Sequence, residues 1–183
     1  SGPRHSPPDA INMIFRQIYA MNPWTVCLLM LLTFAGWTVL CNCLRAKVRI
    51  AVNVILFCVS ATIILHATLL SRTPRIYTAV LTPFAALAAA RQQPELYREM
   101  LMNVFLFFPL GLTLSNALPR TWHRWRRLAL TTLTGCVLSA GIEYAQYRFA
   151  LGMAETDDVI CNTLGAFVGA SSLLLAHAME KHK

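Results

Sequence analysis

The chain has 183 residues, of which 56% are hydrophobic and only 13% are charged, and its formal net charge at pH 7 is +8. This composition excludes an ordinary soluble domain, in which about a quarter of the residues are charged, and it indicates a membrane protein. The charge excess could suggest nucleic-acid binding, but no basic domain lies outside the apolar runs. We therefore predict no nucleic-acid partner and attribute the positive charge to loops that set membrane topology. The 6 cysteines follow no metal or disulfide spacing and are predicted to be packing residues.

The N-terminal segment divides from the rest of the chain at residue 23. Residues 1–3 resemble the scar left by removal of a purification tag. Residues 10–19 then place Ile11, Ile14 and Ile18 on one helical face, which is typical of a helix lying in the membrane interface. We predict a tail with an interfacial helix over residues 1–23, a transmembrane domain over residues 24–179, and a C-terminal tail over residues 180–183.

Five apolar runs follow. Four of them carry no charge and meet the length of about 20 residues that is needed to cross about 30 Å of hydrocarbon. The other run qualifies if Glu143 is tolerated inside it. The runs cover residues 17–44, 50–71, 100–119, 128–147 and 159–179. The predicted fold is therefore all-α, a polytopic membrane bundle of five transmembrane helices.

The connection between the second and third spans is the longest in the chain. Residues 76–90 carry no charge but are too few to span a bilayer, and Pro83 interrupts them. We predict a re-entrant or interfacial segment between helices 2 and 3. Residues 91–99 have mixed charges and are predicted to form a surface turn. Within the third span, Pro109 is expected to kink the helix.

Basic residues are concentrated in two short loops. The segment from Arg120 to Arg127 mixes arginines with tryptophans, and beside a span this pattern indicates anchoring to lipid headgroups. An external N-terminus would place nine of the 16 lysines and arginines on the inner side. Short loops dense in positive charge lie in the cytoplasm. We therefore predict that the N-terminus is outside and that the C-terminus is cytoplasmic.

Polar side chains inside the apolar runs converge on the outer end of this predicted bundle. Ionisable groups within a membrane are costly, face a bundle interior and find partners. Helical spacing puts Ser139, Glu143 and Gln146 on one face. Adjacent aspartates on a helix diverge by about 100°, so Asp157 and Asp158 could share a divalent cation only at the helix cap, and we assign no metal-binding residue. The same end also receives the remaining polar groups, which are His66, Arg72, Arg75, Asn103, Arg148, Asp157, Asp158 and Asn162.

These positions resemble the signature of the VanZ-like family of bacterial membrane proteins. The resemblance covers roughly residues 72–169, and one departure is that Ala154 and Glu155 stand where family members often carry an arginine close before the acidic pair. The residues that carry the resemblance are Ser71, Arg72, Pro83, Phe84, Asn103, Phe107, Phe108, Pro109, Leu110, Gly111, Ser139, Glu143, Gln146, Asp157, Asp158, Asn162, Thr163 and Gly165.

The resemblance implies a multi-pass protein of the bacterial cytoplasmic membrane. It also implies an association with reduced susceptibility to the glycopeptide teicoplanin, which acts on cell-wall precursors outside the membrane. An outward-facing polar pocket agrees with that site of action. Neither the residues nor the resemblance implies a cofactor or an oligomeric state.

Three functions remain open at the level of sequence. In the first, the protein is an enzyme acting on a phosphate-bearing, lipid-linked envelope precursor. Glu143, Asp158 and Arg72 would then be catalytic, because burial tunes a carboxyl for acid–base work and guanidinium groups hold phosphate. The residues predicted to bind the substrate are His66, Arg75, Asn103, Gln146, Arg148, Asp157 and Asn162.

The other two functions need no chemistry. In one, the same pocket binds an envelope lipid or the antibiotic without turnover. In the other, the polar groups only hold the bundle together. Asp157 or Asp158 would then cap the fifth span, Gly165 and Gly169 would allow close helix contact, and Glu143 would pair with Arg148.

Overall fold

The computed structural model describes residues 10–72, 78–93 and 95–180, and helices account for most of them. A π-helical turn, His66–Leu70, continues α3. The eight α-helices described are α1 (Ala10–Ala20), α2 (Pro23–Cys43), α3 (Ala46–Leu65), α4 (Ala85–Ala89), α5 (Glu95–Ala117), α6 (Arg124–Arg148), α7 (Thr156–Ala170) and α8 (Ser172–Glu180), and the two strands are β1 (Thr78–Val80) and β2 (Met153–Glu155).

Five helical segments among the described residues are long and apolar enough to cross a membrane. They are α2, α3 with its π-helical turn, α5, α6, and α7 together with α8. The predicted all-α bundle of five transmembrane helices is therefore confirmed. The helix predicted over residues 10–19 corresponds to α1, whereas residues 1–9 and 181–183 lie outside the described part of the chain.

The prediction of a surface turn over residues 91–99 is wrong in its second half. Helix α5 already includes Glu95 and continues to Ala117, so its first turn carries the charges that suggested a loop. An acidic residue in the first turn of a helix is stabilised by the positive end of the helix dipole. Charge is therefore compatible with a helix start at this position. Pro109 lies inside α5, which continues beyond it to Ala117.

Glycines let α7 approach α5 closely. A Cβ added at Gly165 would overlap the carbonyl oxygen of Val104, and one added at Gly169 would overlap that of Phe108. From the other side, a Cβ at Gly111 would overlap the backbone of Ala166. Small residues are what allow backbones of membrane helices to touch, since lipid supplies no hydrophobic force between helices. The close contact expected of Gly165 and Gly169 is thus made with α5.

The centre of the bundle is apolar. Ile64 from α3, Phe107 and Leu110 from α5, and Ile142 from α6 form one buried cluster. This cluster lies between the two polar ends of the bundle, and it joins three of the five spanning segments.

The connection between α3 and α5 is folded onto the bundle. Strand β1 pairs in parallel with β2, with Thr78 opposite Met153 and Val80 opposite Glu155. The short helix α4 follows and ends at Ala89. This strand pair is not predicted from the sequence, because three residues are too few to show an alternating pattern. As a result, the connection is tied to the segment that leads into α7.

Candidate functional site

Four carboxylates gather where α6 ends and α7 begins, and we call them the acid cluster: Glu143, Glu155, Asp157 and Asp158. Glu143 and Asp157 are 7% and 5% exposed. A buried charge is costly unless it is hydrogen-bonded or paired. The partners of these groups therefore explain how the cluster is tolerated.

Glu143 holds strand β2 against the end of α6. Its Oε2 accepts a hydrogen bond from the backbone N–H of Glu155 at 3.0 Å. A backbone amide is a partner that the spacing of side chains on α6 does not reveal. The Glu143 carboxylate therefore positions the strand that pairs with β1.

Asp157 binds the connection between α3 and α5. Its two oxygens accept hydrogen bonds from the backbone N–H groups of Phe84 at 2.5 Å and Ala86 at 2.7 Å. Phe84 has a φ of 61°, in the left-handed region that is uncommon for a bulky residue. Asp157 thus caps α4, and the expectation that it caps its own helix is wrong for this side chain. Helix α7 itself has no side-chain hydrogen bond at its cap residue, Glu155.

Two further hydrogen bonds join α7 to its neighbours. Asp158 Oδ1 accepts from Asn103 Nδ2 on α5 at 2.6 Å. One turn further along α7, Asn162 Nδ2 donates to Ser139 Oγ on α6 at 2.8 Å. The polar stripes of α6 and α7 therefore meet each other and the start of α5.

Arg72 lies at the acid cluster. It follows the π-helical turn, and it interacts electrostatically with Glu143, Glu155 and Asp158. A Cβ at Gly152 would overlap its Nη1 and would lie 3.7 Å from Gln146 Oε1. A side chain at position 152 would require the guanidinium end of Arg72 to shift. The loop before β2 therefore brings Arg72 and Gln146 to one place.

The pKa of Glu155, which lies between the spans α6 and α7, reflects the charges of the acid cluster. Burial raises the pKa of its carboxyl above the ordinary value, and the nearby carboxylates of Glu99 and Asp157 raise it further. The Arg72 guanidinium acts in the opposite direction. Arg72 is thus the positive charge that offsets an excess of negative charge at this end.

Several polar atoms at the site are buried without a hydrogen-bond partner. Gln146 Nε2 donates to the carbonyl of Thr68 at 3.1 Å, but the Oε1 of the same amide is unpartnered, as is Asn162 Oδ1. An unsatisfied buried acceptor costs about 1–3 kcal/mol. The site thus offers acceptors that a water molecule or a ligand could use.

A cavity of about 410 Å³ opens beside the acid cluster, between α1, the end of α3 and the start of α5. Arg72 and Asn103 line it together with Arg16 and Tyr19 of α1. Neither Arg16 nor Tyr19 is among the site residues predicted from the sequence, in which α1 is only an interfacial helix. Arg16 could have been recognised from the sequence as a candidate, because it is the only charged residue in that helix. We call this space the Arg72 cavity.

The other predicted site residues lie in different settings. His66 begins the π-helical turn, and its carbonyl accepts the hydrogen bond of Ser71 N–H at 2.9 Å. Arg148 is exposed and lies over the ring of Phe149, with 5.9 Å between its Cζ and the ring centre. Arg75 lies outside the described residues. No group of three or more His, Cys, Asp or Glu residues within the described ranges could hold a metal ion.

Comparison with known sequences identifies relatives of this chain. The profile of the VanZ/LLP1 family matches residues 24–177. Protein VanZ of Enterococcus faecium is 37% identical over 89 residues, which are 49% of this chain and 48% of that protein. The chain therefore aligns with only about half the length of this relative. No solved structure is detectably similar. Because the family profile covers most of the chain, including nearly all of each spanning segment and the acid cluster, the protein belongs to the VanZ-like family.

Proposed function

We propose that the protein binds the phosphate-bearing headgroup of a lipid-linked cell-envelope component in the Arg72 cavity. The observation that carries this proposal is the presence of two arginines, Arg16 and Arg72, in one cavity at the end of the bundle. Guanidinium groups present paired donors that match phosphate oxygens. When the headgroup lies in this cavity, the hydrocarbon chain of the lipid can stay in the membrane beside the apolar helices.

The acid cluster supports this function because it orients Arg72. Arg72 would approach a phosphate only if it were held with its donors toward the cavity, and the neighbouring carboxylates attract it without occupying that space. Asp158 fixes the Asn103 amide, which also lines the cavity. Glu143 accepts a hydrogen bond from the backbone of β2, which supports a role in positioning. Binding without turnover is therefore the function that the geometry supports best.

The biological consequence belongs to the same proposal. We infer that the cavity faces the outer side of the bacterial cytoplasmic membrane and that its occupancy lowers susceptibility to teicoplanin. Family membership supports the link to glycopeptides, and the basic loops at the opposite end of the bundle support the orientation.

Binding is tested first with purified protein. A long-chain polyprenyl phosphate serves as the probe, the corresponding uncharged polyprenol serves as the control ligand, and native mass spectrometry counts the bound lipid. Arg72→Gln should weaken phosphate binding by about tenfold or more, because a hydrogen bond to a charged group contributes about 1.5–3 kcal/mol. Arg91→Gln removes an exposed arginine at the same end and should bind as the wild type does.

The cellular test uses the same variants. Wild-type protein should raise the inhibitory concentration of teicoplanin several-fold in a susceptible bacterium, Arg72→Gln should lose this effect, and Arg91→Gln should keep it, at matched membrane levels. Equal binding of polyprenol and polyprenyl phosphate would contradict the proposed ligand. If the wild type converted the lipid into a new species and Glu143→Gln did not, the protein would be an enzyme rather than a binding protein.

A further inference from the structure

A second cavity of about 410 Å³ lies at the opposite end of the bundle, where α5 ends and α6 begins. Arg120, Arg124 and Arg127 line it, and so do His123 and His177. None of the lining side chains that the structure describes is a carboxylate. Positive charge is thus concentrated among the side chains that line this cavity. We call this space the basic cavity.

The start of α6 adds to the positive charge of the cavity. The first backbone N–H groups of a helix have no partner within the helix, and the helix dipole makes this end positive. His123 occupies the cap position but makes no side-chain cap hydrogen bond, and the first turn holds no acidic residue. Instead, Arg124, Arg126 and Arg127 follow the cap directly. Repulsion among these charges is relieved when an anion binds.

The arginines of the cavity differ in how they are held. Arg127 Nη2 donates to the carbonyl of Ser115 at 2.6 Å, and Arg120 Nη2 donates to Asn42 Oδ1 at 2.5 Å. These two arginines join α6 and the preceding loop to other helices. The Nε of Arg124, in contrast, is buried without a hydrogen-bond partner. The Arg124 side chain is partly buried, and its buried Nε would gain a hydrogen bond from an acceptor that enters the cavity.

The walls indicate that the anion comes from a lipid. Leu173 and Ala176 of α8 supply an apolar side to the cavity. Beside it, the Cζ of Arg126 lies 4.4 Å from the ring centre of Trp122, and Trp125 is 52% exposed. Tryptophan and arginine at the end of a spanning helix are typical of the depth of the headgroups. A phosphate held by Arg124 would therefore have acyl chains next to an apolar surface.

We propose that the basic cavity binds the phosphate of an anionic phospholipid from the leaflet at this end of the bundle, with Arg124 as its main donor. This site is independent of the Arg72 cavity. Basic pockets between membrane helices are a known setting for anionic headgroups. A free phosphate ion has the same anionic oxygens but lacks the acyl chains, so the two sources can be separated by experiment.

The experiment measures thermal unfolding of the full chain in a zwitterionic detergent. Phosphatidylglycerol, phosphatidylcholine and inorganic phosphate are each added to the wild type and to variants. Phosphatidylglycerol should raise the Tm of the wild type, because a ligand that binds only the folded state stabilises it. Phosphatidylcholine and inorganic phosphate should give little change. Arg124→Gln should lose most of the rise with phosphatidylglycerol.

A matched control separates this site from general surface charge. Lys47→Gln removes an exposed positive charge at the same end, near the start of α3, and should keep the full rise. Should Arg124→Gln fold poorly, His177→Ala changes the opposite wall of the cavity and should reduce the rise. The proposal is overturned if both cavity variants keep the full rise, or if Lys47→Gln loses as much as they do. An equal rise with inorganic phosphate overturns the assignment to a lipid.

Discussion

At the scale of single residues, the carboxylates of the bundle differ in their hydrogen-bond partners. Glu143 and Asp157 bind backbone N–H groups of segments outside their own helices, whereas Asp158 binds a side chain on α5. Hydrogen bonds from backbone amides to a carboxylate are charge-assisted and strong. These acids thus fasten β2 and α4 to the helical frame. They also create the negative surroundings in which Arg72 lies.

Asp157→Asn should loosen α4. Asparagine keeps one acceptor oxygen but loses the charge, so the two hydrogen bonds from Phe84 and Ala86 become weaker or are reduced to one. We expect hydrogen exchange over residues 84–90 to rise by about tenfold or more, since about 1.4 kcal/mol corresponds to a factor of ten. Hydrogen exchange with mass spectrometry in detergent measures this local opening.

Asp158→Asn is the matched control for that experiment. It makes the same chemical change one residue away, but its partner is Asn103 on α5. Protection of residues 84–90 should therefore stay near the wild-type level. Equal loss of protection in the two variants would show that general loosening of α7, rather than loss of the α4 cap, is the cause.

At the scale of helices, α7 is the element around which the site is built. Its glycine face contacts α5, while its polar residues reach α5, α6 and α4. The close approach enabled by Gly165 brings the start of α7 to the start of α5, where Asn103 and Asp158 meet. Helix packing and the geometry of the acid cluster are thus coupled through one short interface.

Gly165→Ala should lower stability although alanine favours helices. The added Cβ would overlap the backbone carbonyl of Val104, which cannot move as a side-chain end could. Overpacking of this kind costs about 1–3 kcal/mol, more than the gain of about 1 kcal/mol in helix propensity. We expect a clear drop in the Tm of the purified protein.

Gly141→Ala supplies the comparison. Gly141 lies in α6 and has no neighbouring atom within 4 Å of an added Cβ. Its Tm should equal or exceed that of the wild type, because only the helix-propensity term remains. A drop of similar size at both positions would contradict the importance of the contact between α5 and α7.

At the scale of the whole molecule, charge is divided between the two ends of the bundle. The acid cluster and the Arg72 cavity lie at one end, and the basic cavity lies at the other. Positive residues in short loops hold their end of a membrane protein in the cytoplasm. We therefore predict that the acid cluster faces the outside of the cell.

Cysteine labelling tests this orientation. In a background with the six native cysteines replaced, Gln92→Cys marks the turn after α4 and Lys47→Cys marks the start of α3, and both positions are exposed. A membrane-impermeant maleimide should label Gln92→Cys on intact cells and Lys47→Cys only after permeabilisation. The reverse pattern would invert the topology and move the Arg72 cavity to the cytoplasmic side.

Much of the site was recognisable in the sequence as polar residues in unexpected places. Glu143, Gln146, Asn162 and Asp158 stood out because a bilayer tolerates few such groups without partners. Their helical spacing also indicated which of them share a face. Arg16 was missed, because periodicity describes one helix at a time and α1 reaches the cavity only through tertiary packing.

The sequence by itself determined the five spanning helices and the family, because an apolar run of about 20 residues has few other stable states and ordered polar positions identify relatives. Only the tertiary structure decided which group each carboxylate binds. Asp157 accepts from a backbone amide 73 residues earlier in the chain, at Phe84. Every residue except proline offers such an amide, so no residue type marks the partner. That choice depends on how closely α5, α6 and α7 pack.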